Sequence, residues 1–214
     1  MRNLSILLAF LLCGTASLAA QSFGLRVGLN ATNAKIDLDN REIDTDGQTN
    51  LMLGIFANLP VGTSFLSVQP ELTYLNRGYS YDADLVSIGG QVTEIDRTLS
   101  YVDLGVLARL NFGGDDGLGF YAAAGPQFSY AVSGQVTTSF GGAEVERDVD
   151  FDSDRLNRSE LQFAAVGGVT FTAGLKFFAE LRYNGSFSNQ SDFDTEDIRQ
   201  RSVGINGGIM IPLF

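Results

Sequence analysis

The chain has no histidine and no tryptophan, and its single cysteine, Cys13, lies among the first twenty residues. Histidine is the side chain that ordinarily titrates near neutral pH and the commonest metal ligand, so its absence removes the usual general base and most zinc sites. After residue 20 there is no cysteine either, which excludes a disulfide framework, thiolate metal sites and thiol nucleophiles. Proline is scarce at 4 residues against 25 glycines, and 16 Phe and 7 Tyr make up all the aromatic content. That balance favours strands over helices. Cations are outnumbered, 14 Lys and Arg against 25 Asp and Glu, for a formal net charge of −11, which argues against nucleic acid or another polyanion as partner. No apolar run after residue 20 approaches the ~20 residues of a membrane helix. A membrane location therefore requires a closed barrel, the other structure that satisfies every backbone group in lipid.

What is present begins with an export signal. Arg2 precedes an apolar run from Leu4 to Leu12, and the small residues Ala16-Ser17-Leu18-Ala19-Ala20 lead to Gln21. This is the pattern of a secretory signal peptide, cleaved after Ala19 or Ala20. Cys13 follows Leu12 inside the apolar run, whereas lipidation needs a small residue before the cysteine. The expected organisation is a signal peptide over 1–20 and one outer-membrane β-barrel domain over 21–214.

Eight segments of about ten residues carry period-two hydrophobicity, the signature of barrel strands. Phe23, Leu25, Val27 and Leu29 alternate with Gly24, Arg26, Gly28 and Asn30 in the first, and Leu51, Leu53, Ile55, Ala57 and Leu59 share a face in the second. Leu66, Val68, Pro70, Leu72 and Tyr74 oppose Ser67, Gln69, Glu71 and Thr73 in the third, and the fourth opposes Val102, Leu104, Val106 and Leu110 to Tyr101, Asp103, Gly105 and Arg109. The others run 120–130, 160–171, 176–187 and 202–213. Short turns at 60–64, 113–118 and 172–174 alternate with long polar segments near 32–50, 78–98, 131–159 and 188–200. Outer-membrane barrels show this asymmetry, with short turns in the periplasm and long loops outside. Phe23, Phe112, Phe120, Phe171 and Phe177 fall near the short turns, and Tyr74, Tyr130, Tyr183 and Phe187 near the long segments, as interfacial girdles require. The pattern predicts an all-β, eight-stranded antiparallel up-and-down transmembrane β-barrel, monomeric, in the bacterial outer membrane with its lipid as first partner. The same parity also fits a soluble sandwich or lipocalin-like barrel, whose apolar face would point inward.

In a membrane barrel the opposite face points into the lumen, and it carries Arg26, Glu71, Asp103, Arg109, Lys176, Glu180 and Arg182. An eight-stranded interior is just wide enough for side chains to fill it, so these charges are expected to pair into a structural network; the alternative is a path for protons or small solutes. The long segments are acidic, with Asp37, Asp39, Glu42, Asp44 and Asp46, then Glu144, Glu146, Asp148, Asp150, Asp152 and Asp154, then Asp192, Asp194, Glu196 and Asp197. Asp150-x-Asp152-x-Asp154 begins like a calcium loop, but Arg155 stands where such a loop wants glycine and Leu161 where it wants glutamate. Solvated acidic loops, with no metal and no cofactor, are the expectation.

Three pieces, Gln69-Pro70-Glu71-Leu72-Thr73-Tyr74 with Asn76-Arg77-Gly78, then Gly125-Pro126-Gln127, then Glu180-Leu181-Arg182-Tyr183-Asn184, resemble the outer-membrane β-barrel domain family of Bacteroidetes-type bacteria that includes the PorT-like proteins. Gly105 stands where that pattern has proline, and Phe214 has lumen parity. The resemblance implies fold and location, but fold does not dictate task. The expected function is non-enzymatic: a structural or surface-interaction component with an extracellular or periplasmic protein partner. A narrow porin-like channel is the first alternative. An accessory role in a secretion or gliding apparatus, implied by the resemblance alone, is the second.

Overall fold

The computed structural model describes residues 22–38, 41–43, 45–83, 93–113, 117–140, 143–153, 156–188 and 196–213. They form ten strands: β1 (Ser22–Leu38), β2 (Arg41–Ile43), β3 (Asp46–Val61), β4 (Thr63–Ala83), β5 (Thr93–Phe112), β6 (Leu118–Phe140), β7 (Ala143–Asp148), β8 (Ser159–Ala173), β9 (Leu175–Ser186) and β10 (Glu196–Pro212). Eight of these are barrel staves in the order β10-β9-β8-β6-β5-β4-β3-β1, and β10 pairs with β1 to close the ring. Every pairing is antiparallel, and closure runs from Ser22 opposite Pro212 to Leu38 opposite Glu196. The short β2 and β7 are hairpin extensions of β1 and β6. No helix among the described residues is long and apolar enough to cross a membrane; the crossing is made by strands, and the closed ring leaves the staves no unpaired edge.

The eight staves coincide with the eight alternating segments, but they are longer. A tilted strand crosses the hydrocarbon in about 9–11 residues, whereas β4 has 21 residues and β6 has 23. Much of 78–98 and 131–159, read from sequence as loop, is therefore strand continuing past the bilayer. The physical reason is that backbone ladders need no apolar face once outside lipid: Ser80 pairs with Asp96 and Thr98 with Gln135 as regularly as the apolar residues below. At the other end the turns at 60–64 and 172–174 are as tight as expected. Gly62 and Gly174 are the single residues between the paired Val61 and Thr63 and the paired Ala173 and Leu175. Both have positive φ, 73° and 79°, which glycine alone adopts without steric cost.

The outer face is a band of exposed apolar side chains, among them Leu29, Leu53, Leu104, Leu161, Leu181 and Ile205. Exposed apolar surface on this scale marks a surface that water does not cover. The girdle aromatics lie at its margins, and Phe65, which the parity pattern did not include, joins them by an edge-on contact with Phe112 at 5.5 Å and 83°.

Inside, the lumen is filled by side chains in three layers. At the short-turn end Phe56, Leu107, Tyr121, Phe178 and Met210 form one apolar cluster, with Phe56 and Phe178 edge to face at 5.4 Å. A polar belt follows. At the long-loop end Met52, Leu75, Leu99, Tyr101, Ala131 and Val136 form a second cluster with Val149, Phe151 and Leu156. Those last three belong to the segment after β7, which folds back into the mouth of the barrel. An extra residue in β6 prepares this: Tyr101 pairs with Ala131 but Ser100 pairs with Ser133, a bulge at Val132. A bulge shifts side chains to the other face, so Val136 points inward although the parity of Phe128 and Tyr130 would send it outward.

Candidate functional site

The polar belt is built from positions that face inward because their neighbours face lipid. Arg26 on β1, Glu71 on β4, and Glu180 and Arg182 on β9 meet at its centre, each almost fully buried. Arg182 donates to both oxygens of Glu71 in a bidentate pair, with Nη1 to Oε2 at 3.2 Å and the closer contact from Nη2 to Oε1. Its Nη2 also donates to Gln127 Oε1 at 2.6 Å and its Nε to Asn184 Oδ1 at 3.0 Å. Arg26 spans the two acids: Nη1 donates to Glu71 Oε2 at 3.1 Å, and Nε lies 2.7 Å from Glu180 Oε1 in an ion-pair contact off the hydrogen-bond direction. Tyr121 donates to Glu180 at 2.6 Å, and Gln69 and Asn206 donate to the two acids at 3.1 and 3.3 Å. The result is a chain, Arg182–Glu71–Arg26–Glu180, crossing the barrel between β9, β4 and β1.

Gly105 explains itself here. It pairs with Glu71 across β4 and β5, and a Cβ on it would lie 2.9 Å from both Cγ and Oε1 of Glu71. A larger residue, proline included, would push Glu71 out of its two-arginine clasp.

Toward the long-loop end a second group forms. Arg77 makes a close ion pair with Asp103 and lies over the Tyr101 ring at 4.5 Å. Gln127 donates to Asp103 at 2.6 Å, linking this group to the first. Tyr101 donates to Glu160 at 2.9 Å, and Gln162 donates to the same acid at 2.8 Å. In the upper group Arg77 Nε and Nη1 and Asp103 Oδ1 are buried without a protein partner, in contrast to the fully engaged Arg182 and Glu71.

Six of the seven charges expected in the lumen are thus buried there: Arg26, Glu71, Asp103, Arg109, Glu180 and Arg182. The seventh, Lys176, is half-buried at the rim of the short-turn mouth, and the belt instead includes Arg77 and Glu160. Both carried a signal: Arg77 shares the parity of Glu71 and Thr73, and Glu160 that of Gln162. Among the described residues the buried charges are Arg26, Arg77, Arg109 and Arg182 against Glu71, Asp103, Glu160 and Glu180, four of each sign, as burial in low dielectric favours.

The acidic segments divide. Asp150 spends its carboxylate on its own turn, accepting from the backbone N–H of Asp152 at 3.2 Å and of Ser153 at 3.4 Å. This Asx-turn, a bond from Leu156 N to Phe151 O at 3.0 Å, and Arg158 stacked 4.1 Å over the Phe151 ring shape the fold-back. Asp154 and Arg155 lie outside the described residues, as do Asp39, Asp44, Asp192 and Asp194. Among the described residues no three acidic side chains converge as a metal site would require.

At the short-turn end the lumen is hollow. A cavity of about 290 Å³ lies below the apolar cluster, lined by Asn58, Ser64, Arg109, Asn111, Thr170 and Lys176 with aromatic and proline walls.

Comparison with known proteins matches this architecture. Residues 19–192 match the family described as outer membrane protein beta-barrel domain, and the chain belongs to that family and resides in the outer membrane. Among solved structures it is similar to the outer membrane protein OprG from Pseudomonas aeruginosa, at 14% identity over 90% of this chain and 97% of that one, with a TM-score of 0.48. It is similar to Ail, the attachment invasion locus protein of Yersinia pestis, at 13% identity over 90% of this chain and 100% of that one, with a TM-score of 0.43. It is also similar to the outer membrane protease OmpT from Escherichia coli, at 8% identity over 92% and 98%, with a TM-score of 0.45. No curated protein matches the sequence significantly.

Proposed function

We propose that this member of the outer-membrane β-barrel domain family is a non-enzymatic anchor with a closed lumen, whose working surface is the long-loop end. The observation that carries the reading is the filled interior. Two apolar clusters bracket a crossed chain of ion pairs, and the return segment around Phe151 occupies the outer mouth. Steady conduction needs a continuous water column, and three filled layers among the described residues support the closed reading. Meanwhile β4, β5 and β6 rise past the bilayer and carry β7, all of whose residues are exposed. That raised sheet presents Glu144, Glu146 and Asp148, with Asp150 and Asp152 beside it. Binding function concentrates on such surfaces held by a rigid scaffold, and the charge suits a basic partner outside the cell.

The absence of histidine removes the base that triad-type hydrolysis uses, which supports the non-enzymatic reading. The Bacteroidetes-type, PorT-like resemblance, with its accessory role in secretion or gliding, rests on three short sequence pieces and stays a second reading. Two measurements test the proposal. Purified protein in a planar bilayer is expected to give no steady current; large, stable single-channel currents from the wild type would overturn the closed-lumen reading and promote the channel. Deleting the gene and comparing surface adhesion, secreted proteins and envelope integrity separates the surface role from the secretory one: lost adhesion with intact secretion is the expected result.

A further inference from the structure

The hollow at the short-turn end is a part of the lumen that the described side chains leave unfilled. Among the described residues its polar lining supplies the Arg109 guanidinium, the amides of Asn58 and Asn111 and hydroxyls such as Thr170, with Lys176 at the rim engaged in interactions of its own.

Arg109 is the informative residue. It is 2% exposed, yet its partners are neutral: Nε donates to Asn111 Oδ1 at 2.8 Å, Nη1 donates to Gln69 Oε1 at 2.9 Å, and the guanidinium stacks 3.6 Å over the Tyr121 ring. The other buried arginines, Arg26, Arg77 and Arg182, each touch a carboxylate. For Arg109 the Tyr121 ring takes that place, and the Tyr121 hydroxyl is itself turned to Glu180. Arg109 lines the cavity, and its hydrogen bonds to the described residues use Nε and Nη1, leaving Nη2 without one. A buried guanidinium is ordinarily held by a carboxylate or phosphate that accepts from its planar fork. Here the fork has a free end, the cavity beside it is large enough for a compact molecule, and its remaining walls, Phe112, Phe120, Pro60 and Met210, are apolar. The mouth lies among the short turns, which face the periplasm in barrels of this kind.

We propose that this vestibule is a periplasm-facing binding site for a small organic anion, an oxyanion head on a compact apolar body, with Arg109 as its anchor. The Arg109 fork takes one or both oxygens, Asn58 and Thr170 are placed to complete the polar shell, and the aromatic and proline walls cover the body. The site is independent of the long-loop surface, since three filled layers separate the two.

The test is calorimetric titration of the full chain in neutral-detergent micelles with benzoate, with its uncharged isostere benzamide, and with inorganic phosphate, subtracting the heats of empty micelles. Benzoate is expected to bind one to one with saturation in the millimolar range or tighter, and benzamide and phosphate at least tenfold more weakly. Equal binding of benzoate and benzamide would overturn the anion site, and phosphate as tight as benzoate would overturn its organic character. Arg109→Gln is expected to weaken benzoate at least tenfold. Because Arg109 is buried, folding is checked by the shift in gel mobility on boiling. Ser64→Phe, an exposed position on the lining, blocks the mouth without touching the belt and is expected to abolish benzoate heat. Full binding in a folded Ser64→Phe variant would place benzoate elsewhere and refute the proposal.

Discussion

The two ends of the lumen solve the same problem in opposite ways. At the long-loop end the chain returns into its own mouth, burying Val149, Phe151 and Leu156 against Met52, Leu75 and Tyr101. At the short-turn end two of the turns are too short to fold back, with one residue between paired strand ends at Gly62 and at Gly174, and the mouth is hollow around Arg109 among the described residues. Connection length decides the difference: a one-residue turn can close a ladder, but only a longer segment can contribute a plug. The ion-pair belt and the apolar cluster beneath it separate a self-filled compartment from an open one.

The largest predicted effect strikes that divider. Arg182→Ala leaves Glu71 with Arg26 as its one cation beside the Gln69 amide and should cost about 3–5 kcal/mol, the range for breaking a buried pair, read by urea unfolding in lipid vesicles. Glu180→Ala and Arg182→Ala share the network through Arg26 and Glu71, so the double variant is expected to cost less than the sum of the singles. Additive losses would show that the pairs act separately.

Next comes the plug. Phe151→Ala should cost roughly 3 kcal/mol, the lower end for truncating a buried Phe, because a return segment can relax more than a core strand. It should not open a conductance, since the belt and the inner cluster remain. Steady current from this variant alone would make the plug, and not the belt, the seal.

Gly105→Ala drives a methyl group against Glu71 and should cost about 1–3 kcal/mol, as overpacking does. The same substitution at Gly167, where a Cβ meets nothing within 4 Å, should be close to neutral in the same unfolding assay. The pair of values tests whether the belt's geometry depends on the missing side chain.

Smallest is Asp150→Ala, which removes the acceptor of two backbone N–H groups in an exposed turn and should cost about 0.5–1.5 kcal/mol. Calcium titration of the wild type is expected to give no stoichiometric site tighter than about micromolar, the range of sensor loops. A tight site lost in the variant would mean that the Asp150 turn is a metal loop after all.

The staves, their faces and the girdles were legible in the sequence because each depends on local alternation against one uniform outside, the lipid. A strand residue faces lipid or lumen by its parity, so Arg26, Glu71 and Glu180 could be set inside from their neighbours alone. What alternation does not carry is how far one strand slides along the next. Arg182 and Glu71 are 111 residues apart, and their bidentate contact exists only at one shear of the closed sheet. The same holds for Arg109, whose parity placed it in the lumen but whose level, beside Tyr121 and above an open mouth, left it without the carboxylate that Arg182 found. The bulge at Val132 reverses parity without a proline or glycine at the site to announce it. The return of Val149, Phe151 and Leu156 was visible only as apolar residues inside an acidic stretch. Local chemistry, then, determined which residues point inward, while the closure of the ring determined which of them meet and which space they leave empty, because pairing across a barrel is set by register and shear and neither is written in a period of two.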